Sequence, residues 1–300
     1  MEKKNIHFNK FYKLFNLISF FLLFISLILL IFKGLNYGVD FKGGTIIELR
    51  INDSKTSISK LRQSFLNMNL GDVSVKQFGK ENDYLVKFEK KDSNNANFIS
   101  EIKQDLAIYI GSEFDFRRVE SVGPKVSSEL LRSGMIAIGL SLTAMLFYIW
   151  IRFEWQFSLG AILALIHDVV ITLGFFSFFN LEINLSIVAA VLTIVGYSMN
   201  DTVVIFDRVR ENLKKFSDIN IYDLTNISIN ETLSRTIITS FTTLLALLSI
   251  YLFGGEILKG FSLAMILGVI FGTYSSIYIA NPILVLLKVS QKTILKKDKD

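Results

Sequence analysis

Two acidic residues stand where the chain is otherwise oily. In "GYSMNDTVVIF" (196–206), Asn200 and Asp201 interrupt an apolar run, and in "AILALIHDVVITLG" (161–174), His167 and Asp168 do the same. An ionisable group inside a membrane segment is costly, so it usually faces other helices or a water path and marks function. The chemistry open to such a carboxylate is proton uptake and release. Desolvation favours its neutral form, and a nearby guanidinium favours its charged form. Arg235, in "SRTIITSF" (234–241), is the basic residue that could serve as that partner.

Helical spacing organises these groups. Thr193, Gly196, Tyr197, Asn200, Asp201 and Val204 recur every three to four residues, as do Arg235, Thr239, Thr242, Ala246 and Ser249 on the next apolar segment. Asp201 precedes Asp207–Arg208 by about six residues, which places it ~9 Å into a membrane at ~1.5 Å per residue. An arginine reaches ~6–7 Å, so an extended Arg235 would approach Asp201 if the two helices pack. Two readings stay open: a structural ion pair, or a carboxyl that alternates between dry and Arg-paired states and so carries protons. Arg235 alone also reads as a positive-inside anchor, and His167 as a hydrogen-bond donor to a neighbouring helix. Asp207, Arg208, Arg210 and Glu211 read as a solvated helix end. Ala264, Gly268, Gly272 and Ser276 form a small-xxx-small stripe, and with Gly196 they are candidate helix-packing positions.

The elements that must hold these residues are membrane spans. Of the 300 residues, 51% are hydrophobic and 20% charged, which with several long apolar runs makes this a multi-pass membrane protein. There is no cysteine and only two histidines, His7 and His167, so thiol chemistry is excluded and a histidine metal site is not expected. Six spans are predicted, over about 14–32, 133–151, 157–179, 185–206, 236–254 and 261–287. The first follows Lys3, Lys4, Lys10 and Lys13 but is too long for a signal-peptide core, and is read as an uncleaved anchor. Lysine and arginine cluster at both termini (1–13 and 288–300), at Arg152, and at Arg208, Arg210, Lys214, Lys215 and Arg235, all on one side. That side is expected to be cytoplasmic. The net charge of +5 is therefore read as topology, with no nucleic-acid partner.

Residues 33–132 are then an extracytoplasmic domain. Strand patterns at 45–51, 72–78, 83–89 and 114–122, helical spacing at 57–68 and 97–110, and a turn at 79–82 give the order β-α-β-β-α-β, a ferredoxin-like α+β unit. The "DFKGGT" stretch (40–45) lacks phosphate-loop spacing and reads as a glycine-permitted tight turn at the domain's entrance.

Six stretches carry a resemblance: "YGVDFKGGT" (37–45), "VESVGPKVSSEL" (119–130), "HDVVITLG" (167–174), "GYSMNDTVVIFDRVREN" (196–212), "SRTIITSFTTLLALLSIYLFGG" (234–255) and "FSLAMILGVIFGTYSSIYIANPIL" (261–284). Together they resemble the SecF side of the bacterial SecD/SecF protein-export family, within the RND-transporter superfamily. The resemblance covers most of the chain and is weakest over 52–118 and the tails. It implies a non-enzymatic subunit of the cytoplasmic (inner) membrane, paired with a separate SecD chain. It also implies association with the SecYEG channel and YajC, contact with the translocating preprotein, and action after the motor SecA. It implies use of the proton motive force, with sodium as the coupling ion in some relatives, and no bound cofactor. Asp201 would lie on the proton path, coupled to Arg235, with Asn200, His167, Asp168 and Thr239 in support.

Two other functions compete. Asp168 and Asp201 lie in consecutive spans, as in intramembrane aspartyl proteases, but "IHD" and "SMND" do not match the YD and GxGD pair of those enzymes. A stand-alone RND exporter would need about twice as many spans.

Overall fold

The computed structural model describes residues 5–52, 57–77, 82–89, 96–216 and 219–295. Lys3, Lys4, turn positions 79–81, Lys296, Lys297 and Lys299 lie outside the described residues.

The outer unit is built from β2 (Gly44–Ile51), α3 (Ile58–Asn67), β3 (Val73–Gln77), β4 (Asp83–Phe88), α4 (Ala96–Ile110) and β5 (Phe114–Val122), each within one residue of the bounds read from periodicity. The four strands form an antiparallel sheet in the order β3-β4-β2-β5, with Ile47 opposite Val86 on one side and Val119 on the other. Central strands with long connections on one face give the split βαβ arrangement. Alternate residues give it a core of its own. Ile47, Leu49, Ile51, Val86 and Phe88 point to one face, where Leu61 and Phe65 of α3 and Ile102 and Leu106 of α4 cover them. The opposite face carries Ile46, Glu48, Leu85 and Lys87, half-buried above the membrane bundle.

The chain enters this unit through a short strand, β1 (Asn36–Tyr37), and a single turn, α2 (Val39–Lys42). Gly43 (φ 81°) and Gly44 (φ 134°) then take backbone angles that side chains disfavour. A Cβ on Gly44 would lie 2.5 Å from the Phe88 carbonyl oxygen. The glycine pair is thus the tight turn that lets β2 lie against β4.

Among the described residues, six helices are long and apolar enough to cross a membrane. They are α1 (Tyr12–Phe32, preceded by a 3-10 turn, Phe8–Phe11), α5 (Pro124–Arg152), α6 (Trp155–Phe178), α7 (Leu185–Lys215), α8 (Ile221–Phe253) and α9 (Glu256–Ser275). The last continues through a π-helical turn (Ser276–Ala280) into α10 (Asn281–Leu286) and is followed by α11 (Gln291–Leu295). Pro282 lacks an N–H to donate, and the Asn281 amide instead donates to the Ser276 carbonyl at 2.7 Å, where the helix changes its period.

Three helices run beyond the apolar stretches read as spans. α5 begins at Pro124, whereas the outer domain was expected to reach 132; Pro124 suits a first helical position, and the helix starts well before its oily part. α7 runs on to Lys215, past the expected 206. α8 starts at Ile221 rather than near 236, with the Asn220 side chain accepting from the Tyr222 N–H as its cap. Hydropathy detects only the stretch that lipid must cover, whereas these helices extend as polar rods beyond it. The early half of α8 holds the N-terminal segment: Asn226 accepts from the Phe8 N–H at 2.8 Å, and Asn230 pairs with both backbone groups of Ile6.

At the opposite end, β1 pairs in parallel with β6 (Glu182–Ile183), between α6 and α7. Glu182 also takes the Lys87 ammonium of β4 at 2.5 and 2.6 Å, tying the outer sheet to the bundle across a cleft of about 400 Å³.

Candidate functional site

α7 is the axis of the bundle, packed against α5, α6, α8 and α9. Gly268 and Gly272 of α9 allow its close approach. A Cβ on Gly268 would overlap Ile194, and one on Gly272 would come within 3.0 Å of the Ser198 Cβ. Gly196 differs, since among the described residues nothing beyond its own helix turn lies within 4 Å of the place its Cβ would take.

This approach brings hydroxyls to both acidic residues. Asp201 is 3% exposed, and its Oδ2 accepts from Ser240 Oγ of α8 at 3.4 Å and Thr273 Oγ1 of α9 at 3.3 Å. Those two hydroxyls lie 2.7 Å apart, so three helices meet at one carboxylate oxygen. Arg235 makes no contact ion pair with Asp201. It sits within α8 rather than opening it, on the exposed side. Thr239 bonds back to its own helix, at the Arg235 and Thr236 carbonyls, and it is the next residue, Ser240, that faces Asp201.

Asp168 is completely buried and held more tightly. Its Oδ2 accepts from Ser198 Oγ of α7 at 2.6 Å and Ser275 Oγ of α9 at 2.7 Å, and its Oδ1 lies 2.9 Å from His167 Nδ1. His167 thus bonds its own neighbour rather than another helix, and its ring stacks against Tyr274. The two carboxylates share no partner.

The stripes read from spacing face away from the helix contacts made within this chain. Thr193, Gly196 and Asn200 on α7, and Arg235, Thr242, Ala246 and Ser249 on α8, are all exposed in the single chain. Asp201 lies at the inner border of the first stripe. Ser198, Ser240, Thr273 and Ser275, which do the contacting, were missed. Single serines and threonines are common in apolar helices, where they bond back to their own carbonyls, and only the pairing of helices shows which of them turn outward.

Comparison with known proteins bears on what this arrangement belongs to. Residues 102–290 match the family described as protein export membrane protein SecD/SecF, C-terminal, and residues 28–54 match the SecD/SecF GG motif, which covers the Gly43–Gly44 turn. The chain belongs to the SecD/SecF family. Among similar members, the protein translocase subunit SecF of Rickettsia bellii is 47% identical over 88% of each chain. That of Calditerrivibrio nitroreducens is 47% identical over 93% of each. In the crystal structure of SecDF, a translocon-associated membrane protein from Thermus thermophilus, 33% identity and a TM-score of 0.85 extend over 96% of this chain but 39% of that one. A super-membrane-facing form of SecDF matches with a TM-score of 0.71 over 99% of this chain. This SecD/SecF-family chain thus spans about two fifths of SecDF.

Proposed function

We propose that this chain is the SecF-type half of a proton-driven accessory to the protein-export channel. It works with a separate SecD-type chain in the bacterial cytoplasmic membrane, with both termini cytoplasmic and the α+β unit outside. The observation that carries this reading is the environment of Asp201. It is a membrane-depth carboxylate with no cation in contact, held by two weak hydroxyl bonds where three helices meet. Such a group can exchange a proton at little cost in hydrogen bonding, and each change alters the attraction to Arg235 and the grip on Ser240 and Thr273. A proton crossing ~100 mV releases ~2.3 kcal/mol, so a few protons suffice to drive a domain movement.

The exposed polar stripes support a partner. Asn200 and Arg235 are costly to leave against lipid, and a second helical bundle would cover them. The length relation to SecDF supports a SecD-type chain in that place. SecYEG, YajC, SecA and the preprotein follow as partners from the family role, with protons as the coupling ion and sodium as the alternative. The test is an export assay with and without a proton gradient, comparing wild type, Asp201→Asn and Arg235→Ala, each co-expressed with the SecD-type partner. The gradient-dependent part of export is expected to vanish in both variants. Equal export in all arms would refute the proposal.

A further inference from the structure

The His167–Asp168 pair remains after the role of Asp201 is assigned. We propose that it is a second proton-binding site in the bundle, loaded at His167 Nε2. This deepens the proton-driven reading above, but its own test does not depend on export.

The bonding around the pair locates the proton. Asp168 Oδ2 is occupied as an acceptor of the Ser198 and Ser275 hydroxyls. Oδ1 faces His167 Nδ1 at 2.9 Å, so one proton lies on that axis whichever atom owns it. The atom left over is Nε2, which is buried and has no hydrogen-bond partner among the described residues. With Nε2 bare, the pair carries one net negative charge. With Nε2 protonated, it is neutral, either as imidazolium and carboxylate or as neutral imidazole and carboxylic acid. The two protonation states of the pair therefore differ by one proton at one atom.

The surroundings favour the loaded state. Asp168 is 0% exposed and His167 2%. The groups that face them are Tyr274, stacked on the ring, Ser198 and Ser275. Tyr274 in turn donates to the Phe15 carbonyl and pairs with Ser19 of α1, and packs at a tilt against Tyr278. Asp201, a turn further along α7 from Ser198, is a carboxylate. None of the described residues offers Asp168 a lysine or arginine within salt-bridge distance. A buried negative charge without a cation is costly, and a proton on Nε2 removes it. The site is also built to transmit its state, because Asp168 joins α6 to α7 and to α9 at the residue before the π-helical turn.

The chain contains only two histidines, which makes a direct reading possible. His7 is exposed and remote from the pair, so a His7→Gln protein leaves His167 as the single imidazole. That protein, full length with its partner in lipid nanodiscs and labelled with 15N-histidine, is examined by nitrogen NMR across pH. A proton on Nε2 in the acidic to neutral range, lost as pH rises, is the expected result. In Asp168→Asn, which removes the negative charge and keeps an acceptor, Nε2 is expected to be bare at pH values where the parent is loaded. Nε2 bare at every pH in the parent, or loaded equally when Asp168→Asn puts a neutral amide beside the ring, overturns the proposal. If Asp168→Asn does not fold, the parent spectrum decides alone. The same spectrum in Asp201→Asn separates the two sites: loading that persists while gradient-driven export is lost leaves this site standing independently.

Discussion

Asp168 and Asp201 lie on neighbouring helices of one bundle, each accepting hydroxyl hydrogen bonds from two other helices, yet they are held very differently. Asp168 has three partners between 2.6 and 2.9 Å and no exposure, whereas Asp201 has two, at 3.3 and 3.4 Å, and lies beside an exposed polar face. Short bonds to a fully enclosed carboxylate lock three helices together. Long bonds at the edge of a face that awaits a partner leave room for change. The difference separates a site whose short bonds hold three helices together from one with a looser grip where the bundle would meet its neighbour.

Removing Asp168 should produce the largest effect on stability. Asp168→Ala leaves Ser198, Ser275 and His167 without their acceptor in a dry site, and we expect a loss of ~3–5 kcal/mol, read as a fall in thermal unfolding temperature of the purified complex. A loss below that of Asp201→Ala would break the comparison. Asp201→Asn should show the opposite profile. An amide still accepts from Ser240 and Thr273, so stability should change by ~1 kcal/mol or less, while gradient-dependent export is abolished.

The contact that brings the hydroxyls to both acids offers a third test. Gly268→Ala pushes a methyl into Ile194 and should cost ~1–3 kcal/mol by overpacking, whereas Gly196→Ala should be silent in the isolated chain and weaken only association with the SecD-type partner, measured by co-purification. The smallest effect belongs to Lys87–Glu182, whose side chains are 20% and 25% exposed. A double-mutant cycle should return ~1 kcal/mol or less, reduced further by salt. A larger coupling would mean that the outer unit is fastened to the bundle more firmly than an exposed pair allows.

The outer unit was readable almost to the residue. Ile47, Leu49 and Ile51 alternate with Ile46, Glu48 and Arg50, and Leu61 and Phe65 repeat at helical spacing, because one face of each element meets a core and the other does not. The bundle was readable only in part. Lipid and protein interior are both apolar, so periodicity in a span does not say which face turns inward. Spacing therefore groups Asn200 and Arg235 with their stripes, whereas the carboxylate contacts within the chain are made by Ser198, Ser240, Thr273 and Ser275.

Composition and run length alone determine that six segments cross a membrane, that an α+β unit is inserted after the first, and that Asp168 and Asp201 lie at depth. Those properties depend on how many apolar residues follow one another and on local spacing. Tertiary structure alone decides which hydroxyls reach each carboxylate, that Arg235 stands off from Asp201, and that His167 pairs with its own neighbour. These outcomes rest on the rotation of each helix about its axis. Close packing at Gly268 and Gly272 fixes the contact between α7 and α9, and no single segment carries that information.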